Sequence, residues 1–239
     1  MGLLDLPAPF FDFVDRGLLG ALPPLARLIL WAIAGAAVSL TLYRWLSPQR
    51  RIAEAKAAAL DARQRLNAHD GDLESALPLM RQSIKAALRH VGLVFPAALI
   101  ASLPVLALLV WLDGAYGYRF PEDRQAPTVA VEPQSYSGEW RPSGTGGEIE
   151  LKDGAGTEVA RLTVAQPVPR IEKRQWWNVL VGNPAGYLPD SGPIEGVTIG
   201  LPERQYLPVG PDWLRSWVTV ALSVLVVASL LIMRIARIA

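Results

Sequence analysis

Cysteine is absent from this 239-residue chain, and histidine occurs only as His69 and His90. The first absence excludes disulfide frameworks, thiolate metal sites, iron–sulfur clusters and cysteine nucleophiles together, and is silent on redox compartment. The second leaves too few imidazoles for a His-rich metal or haem centre. Charge is also scarce. Only 19% of residues are Asp, Glu, Lys or Arg, against about 25% in ordinary soluble domains. The two signs nearly cancel, 23 basic residues against 22 acidic ones, so the basic excess of a nucleic-acid protein is missing. A phosphate loop is missing as well, because the run Ser143-Gly144-Thr145-Gly146-Gly147 is not followed by Gly-Lys-Ser/Thr.

What is abundant is hydrophobicity, at 51% of residues, and it is concentrated in three stretches. Leu28 to Tyr43 carries no charge and extends with its flanks to 25–46; Val91 to Leu112 and Ser216 to Met233 are likewise uncharged. A bilayer core of roughly 30 Å takes about 20 helical residues at 1.5 Å each. The expectation is therefore an α-helical membrane protein with three spans, placed at 25–46, 91–112 and within 213–239. Pro96 and Pro104 fall in the second span, where a membrane helix tolerates proline with a kink. The first span does not read as a cleaved signal, because Asp5, Asp12 and Asp15 outnumber the basic residues ahead of it. Residues 1–24 interleave Phe10, Phe11, Phe13, Val14, Leu18 and Leu19 with those acids, the pattern of an interfacial amphipathic segment.

Orientation follows from the basic residues near span ends. Residues 47–90 are rich in Arg and Lys and are bracketed by Arg44, and the tail adds Arg234 and Arg237. The connection 113–212 has Arg119 and Arg124 near its start and Arg204 near its end, with Arg215 just beyond, and is acidic on balance. This predicts a cytoplasmic segment 47–90 and C-terminus, with the N-terminus and residues 113–212 outside, in a bacterial inner membrane.

Within 47–90 the Ala-rich run from Pro48 to Asn67 carries a weak apolar stripe of Ile52, Ala55, Ala59, Ala62 and Leu66. His69-Asp70-Gly71-Asp72 then supplies turn chemistry. Leu73, Leu77, Met80, Ile84, Ala87 and Val91 repeat at alternating spacings of four and three, a heptad seam. The two helices are expected to fold back as a coiled-coil hairpin, with Pro78 kinking the second or delaying its start. Such a hairpin is either a rigid connector with a solvated face or a docking surface for a ribosome, nascent chain or partner.

Residues 113–212 are punctuated by Pro and Gly and alternate with the period of strands. Residues 147–164 offer a hairpin around Lys152-Asp153-Gly154-Ala155-Gly156, and residues 171–182 and 194–201 suggest further strands. A small all-β domain inserted on the outer side follows, with Glu148 and Glu150 on a solvated face. Without histidine it holds no Ser-His-Asp arrangement. No enzyme is expected. Trp140, Trp176, Trp177 and Tyr187 are core residues or partner-binding candidates.

The order of span, helical hairpin, span, span resembles the YidC/Oxa-type insertase superfamily, and within it the third subunit of the endoplasmic reticulum membrane protein complex and its archaeal relatives. The residues that carry it are ARLILWAIAGAAVSLTLYRWLSPQRR at the first span, the hairpin, and PDWLRSWVTVALSVLVVASLLIMR at the third. Arg27 and Arg44 stand where that subunit has two arginines about five turns apart, and Trp213 and Trp217 match its Trp-containing approach to the last helix. The resemblance covers roughly residues 20–112 and 211–239. It implies a groove open to cytoplasm and lipid that guides short hydrophilic client segments, without cofactor or metal. Arg44 is its charged candidate, against a snorkelling role at the inner boundary. Ser39, Thr41, Ser102, Thr219, Ser223 and Ser229 are its wetting candidates, and Arg27, Trp213 and Trp217 are interface anchors. Expected partners are membrane lipids and membrane-protein clients, or the other subunits of an envelope complex in which this chain is a non-catalytic accessory docking through its outer β domain, residues 113–212. A pore is a third reading, requiring an oligomer.

Overall fold

In a computed structural model the structure describes residues 2–121, 126–144 and 146–236. Arg124, Thr145 and Arg237 lie outside the described residues. The described residues form six α-helices and six strands: α1 (Ala8–Phe13), α2 (Pro24–Leu46), α3 (Gln49–Asn67), α4 (Leu73–Tyr116), β1 (Val129–Glu132), β2 (Ser137–Ser143), β3 (Gly146–Lys152), β4 (Glu158–Val164), β5 (Arg170–Glu172), β6 (Gly196–Ile199), α5 (Asp212–Arg215) and α6 (Trp217–Ala236). Three of them, α2, α4 and α6, are long and apolar enough to cross a membrane, as in an integral membrane protein. The chain divides into two units, 1–30 with 106–222 and 31–105 with 223–239.

The second unit is helical. Pro24 opens α2 at a first helical position, where its missing N–H costs nothing. The Ser39 hydroxyl of α2 donates to the Ala101 carbonyl of α4 at 2.7 Å, a polar bridge between two spans. Along α3 the sheltered face is Ile52, Ala55 and Ala62, with Ala59 and Leu66 half-buried, the same stripe that the sequence marks. The 44 residues of α4 form one helix that starts ahead of Pro78 and runs through Pro78, Pro96 and Pro104, so the late start expected at Pro78 does not occur. Asp72 receives the Ser75 hydroxyl at 2.6 Å and the Ser75 amide at 3.4 Å at its first turn.

The heptad seam of α4 is not its sheltered face. Ala76, Leu79, Ser83, Ala86 and His90 are half-buried and Ala97 and Ala101 buried, while Leu73, Leu77, Met80, Ile84 and Val91 are exposed. The sheltered row thus mixes Ala and Ser with Leu79 and His90, and the larger apolar row turns outward.

The first unit combines helix ends with β structure. Two three-stranded antiparallel sheets, ordered β1-β6-β5 and β2-β3-β4, share one core in which Trp140, Ile149, Leu151 and Val164 of one sheet join Val131, Ile171, Val197 and Ile199 of the other. The hairpin β3–β4 turns where Asp153 Oδ1 accepts the Ala155 and Thr157 amides at 3.0 and 2.8 Å, and Gly156 takes a φ of +82° that favours glycine. Residues 171–182 depart from the expected strand. After β5 they form a 3-10 turn, Trp176–Val179, closed by Asn178 Oδ1 on the Gln175 amide at 2.7 Å. The N-terminal segment is likewise broken into a 3-10 turn (Leu3–Asp5), α1 and a π turn (Val14–Leu18), with Pro7 and Gly20 bounding it.

Candidate functional site

Three spans supply long helices but few polar side chains, so the first question is how those few are used. Arg44 donates from Nη1 to the Ala236 carbonyl at 2.8 Å. Its positive charge therefore meets the negative end of α6, a favourable capping arrangement. Ser39 is spent on Ala101. Ser102 donates to Leu99 of its own helix at 2.7 Å. Thr219 donates to the Trp213 carbonyl at 2.6 Å, and Ser216 caps the Thr219 amide at 3.4 Å. Thr41 and Ser223 are exposed and Ser229 is half-buried. Ser223 opens onto a shallow apolar cleft of about 300 Å³ lined by Ile33, Val224, Val227, Ala228 and Leu231. Of these residues, Arg44 and Thr219 serve helix ends, Ser39 joins two helices and Ser102 bonds its own helix.

The feature with most exposed apolar surface is α4. Leu73, Leu77, Met80, Ile84, Leu88, Val91 and Phe95 are all exposed, Leu73 by 75% and Leu88 by 66%. Their spacings average close to the helical repeat of 3.6 residues, so they lie in one row along the helix. At 1.5 Å per residue that row is roughly 33 Å long, and the whole helix about 66 Å, twice the hydrocarbon core. A helix of this length projects from the bilayer by about half. The projecting half is the one with Glu74, Arg81, Lys85 and Arg89, so Leu73 to Leu88 stand in the aqueous part of the row. Arg81, Lys85 and Arg89 follow one another at four-residue spacing and flank the row on one side. Monomeric soluble surfaces rarely carry contiguous apolar patches of this extent unless something binds there.

The first unit holds a buried charged knot. Asp15, 6% exposed, accepts Arg27 Nη1 at 2.8 Å and the Tyr116 hydroxyl. The Arg27 guanidinium lies 5.8 Å from the Tyr116 ring centroid, and its Nε is buried without a hydrogen bond among the described residues. Tyr206 donates to the Tyr116 carbonyl at 2.8 Å; burial pushes the Tyr206 phenol up to about 12. Arg27 thus has a specific ion-pair partner, which its assignment as a boundary anchor did not include. The signal in the sequence was Asp15 itself, an acid within an apolar segment, which needs a partner when buried. Beside the knot an open cavity of about 1100 Å³ is lined by Pro24, Arg119, Glu203, Arg204, Gln205 and Arg215 among others.

The aromatic candidates separate. Trp140 is in the β core, at 5.9 Å from Phe120. Tyr187 is half-buried and accepts the Asn183 amide at 3.0 Å. Trp217 is buried and Trp213 exposed at the start of α6, while Trp176 and Trp177 are exposed on the 3-10 turn. Glu150, expected on a solvated face, is buried on the central strand β3 and held by Arg141 at 2.9 Å and Arg161 at 3.2 Å. No protein-family model, curated protein or solved structure matches the chain.

Proposed function

We propose that this protein is a membrane insertase or chaperone, working without cofactor or covalent chemistry, that guides apolar client segments along α4 from the cytoplasm into the bilayer. The observation that carries this reading is the exposed row from Leu73 to Phe95 on a helix that itself continues as a membrane span. A client helix leaving water would exchange hydration for contact with this row, and at Val91 the row passes into lipid without a polar break. The flanking Arg81, Lys85 and Arg89 favour acidic flanks on the client and repel basic ones, which stay in the cytoplasm by the positive-inside rule. The basic excess of residues 47–90 supports a cytoplasmic position for this half of α4, and the family resemblance offers a precedent for that topology. Photoreactive residues at Leu77, Ile84 and Leu88 would then crosslink to nascent membrane proteins, whereas one at Lys56 on α3 would not. Equal crosslinking at all four positions would remove the reading.

A second reading is a non-catalytic accessory subunit of an envelope complex. It is favoured by the polar side chains of the spans, since Arg44 is spent on the end of α6 and Ser39 on the Ala101 carbonyl of α4. In that case the α4 row is covered by one fixed partner. Purification in mild detergent with mass spectrometry separates the two: a stoichiometric partner crosslinked at Leu77 and Ile84 supports the subunit, and a spread of clients supports the insertase.

A further inference from the structure

The 3-10 turn Trp176–Val179 carries a knuckle of large apolar side chains with no use in the β core. Trp176 is 79% exposed and Val179 62%, and Trp177, Leu180 and Val181 are exposed with them. From Gln175 to Pro189 the chain holds no charged residue. Asn178, the polar residue at its centre, is spent on the turn: Oδ1 accepts from Gln175 and Nδ2 donates to the Val181 carbonyl at 3.0 Å.

The N-terminal segment is tied to this knuckle and extends it. The Leu4 amide donates to the Leu180 carbonyl at 2.9 Å. Asp5 turns its carboxylate inward, where Oδ2 accepts the Gly2 amide at 2.6 Å and the Gly182 amide at 2.8 Å. Leu3 and Leu6 are left exposed beside the knuckle, and Phe10 and Phe13 are exposed further along. The same segment is anchored at the ends of two membrane-crossing helices. Asp12 accepts the Trp111 indole at 3.1 Å near the end of α4, and Asp15 pairs with Arg27 in the first turn of α2. Helix ends of this kind mark the boundary between hydrocarbon and water.

We propose that the Trp176–Val181 knuckle, together with Leu3 and Leu6, is a lipid-binding surface that seats the β-rich unit in the interfacial layer of the bilayer. Tryptophan is the side chain most at home there, with an apolar body for the acyl boundary and an N–H for the headgroups. Lipid is favoured over a protein partner by continuity with helix ends that already meet the bilayer, and by the inward turn of Asp5. Arg174, exposed two residues before Trp176 and without an ion pair among the described residues, would meet the phosphates. This inference is independent of the client role of α4, requiring only that α2 and α4 span the membrane.

The absence of cysteine makes the test direct. Val179→Cys, Leu6→Cys and, as an aqueous control, Val159→Cys on β4 are each labelled with a nitroxide in the full chain and reconstituted into phosphatidylcholine–phosphatidylglycerol vesicles. Labels at 179 and 6 are expected to be reached by oxygen and shielded from a water-soluble nickel chelate, with the reverse at 159. Replacing Trp176 and Trp177 by Ser in the Val179→Cys chain is expected to return that label to the nickel chelate. Nickel access at 179 equal to that at 159 would overturn the proposal. Shielding at 179 from both reagents, the signature of a protein cover, would overturn it equally.

Discussion

Neutralising Asp15 tests the internal electrostatics of the first unit. In the native chain its buried carboxylate meets a guanidinium at 2.8 Å and a phenol, and Arg27 is only 18% exposed at its side chain. Asp15→Asn keeps the shape and one acceptor but leaves the Arg27 charge desolvated, with Nε already lacking a hydrogen bond among the described residues. Breaking one side of a buried pair costs about 3–5 kcal/mol when both partners are enclosed. Arg27 retains some solvent and the Tyr116 ring, so the lower end, about 3 kcal/mol, is expected. Arg27→Met alone should cost a comparable amount, because Asp15 is then the stranded charge. The double variant removes both charges and is expected to recover at least about 2 kcal/mol relative to the sum of the singles. Denaturation in mild detergent, followed by Trp fluorescence, measures all three, since Trp111 bonds Asp12 and lies tilted against Phe11 with ring centroids 5.4 Å apart. Single variants within about 0.5 kcal/mol of the parent, or strict additivity, would refute the argument.

Three further outcomes follow from the same structure. Glu150→Ala should destabilise the β-rich unit by about 1–3 kcal/mol, less than a fully buried pair because Arg141 and Arg161 are half-exposed and regain water; thermal melting checks it. Tyr206 holds its proton to about pH 12 in the folded state, whereas the unfolded chain releases it near 10. Its contribution is complete below pH 10 and falls away from there to 12, and Tyr206→Phe should flatten that alkaline slope. Arg44→Ala removes the guanidinium from the Ala236 carbonyl and should cost about 0.3–1 kcal/mol, seen as faster protease cleavage at the end of α6, with client crosslinking along α4 retained.

Much of the architecture is legible in the residues. Uncharged runs mark α2, α4 and α6 because burying even one charge in hydrocarbon is costly. Asp153, Gly154 and Gly156 mark the β3–β4 turn because few residues adopt its backbone. The limits are physical too. Periodicity shows which α4 side chains share a face, but not which face is sheltered; there the row from Ala76 to His90 is half-buried and the row of Leu73, Leu77, Met80 and Ile84 exposed. Trp176-Trp177 has strand propensity, yet Asn178 and the neighbouring main chain fold it into a 3-10 turn. The Asp15–Arg27–Tyr116 knot joins residues distant in sequence, so its existence is a matter of tertiary placement. Glu150 alternates correctly with Ile149 and Leu151; its burial arises from arginines on the two flanking strands.

The exposed row of α4 is tested most directly by making it polar and measuring insertion. Leu77, Ile84 and Leu88 are replaced together by Ser in the full chain, which is reconstituted into vesicles and supplied with a newly synthesised membrane protein that has one short translocated tail. These side chains are exposed, so the variant should fold and reconstitute like the parent, with α2, α4 and α6 equally protected from protease. The expected result is insertion reduced at least about tenfold, the equivalent of about 1.4 kcal/mol of lost client contact. Insertion equal to the parent's, in a chain shown to be folded and correctly reconstituted, would contradict the role of α4 as the client track.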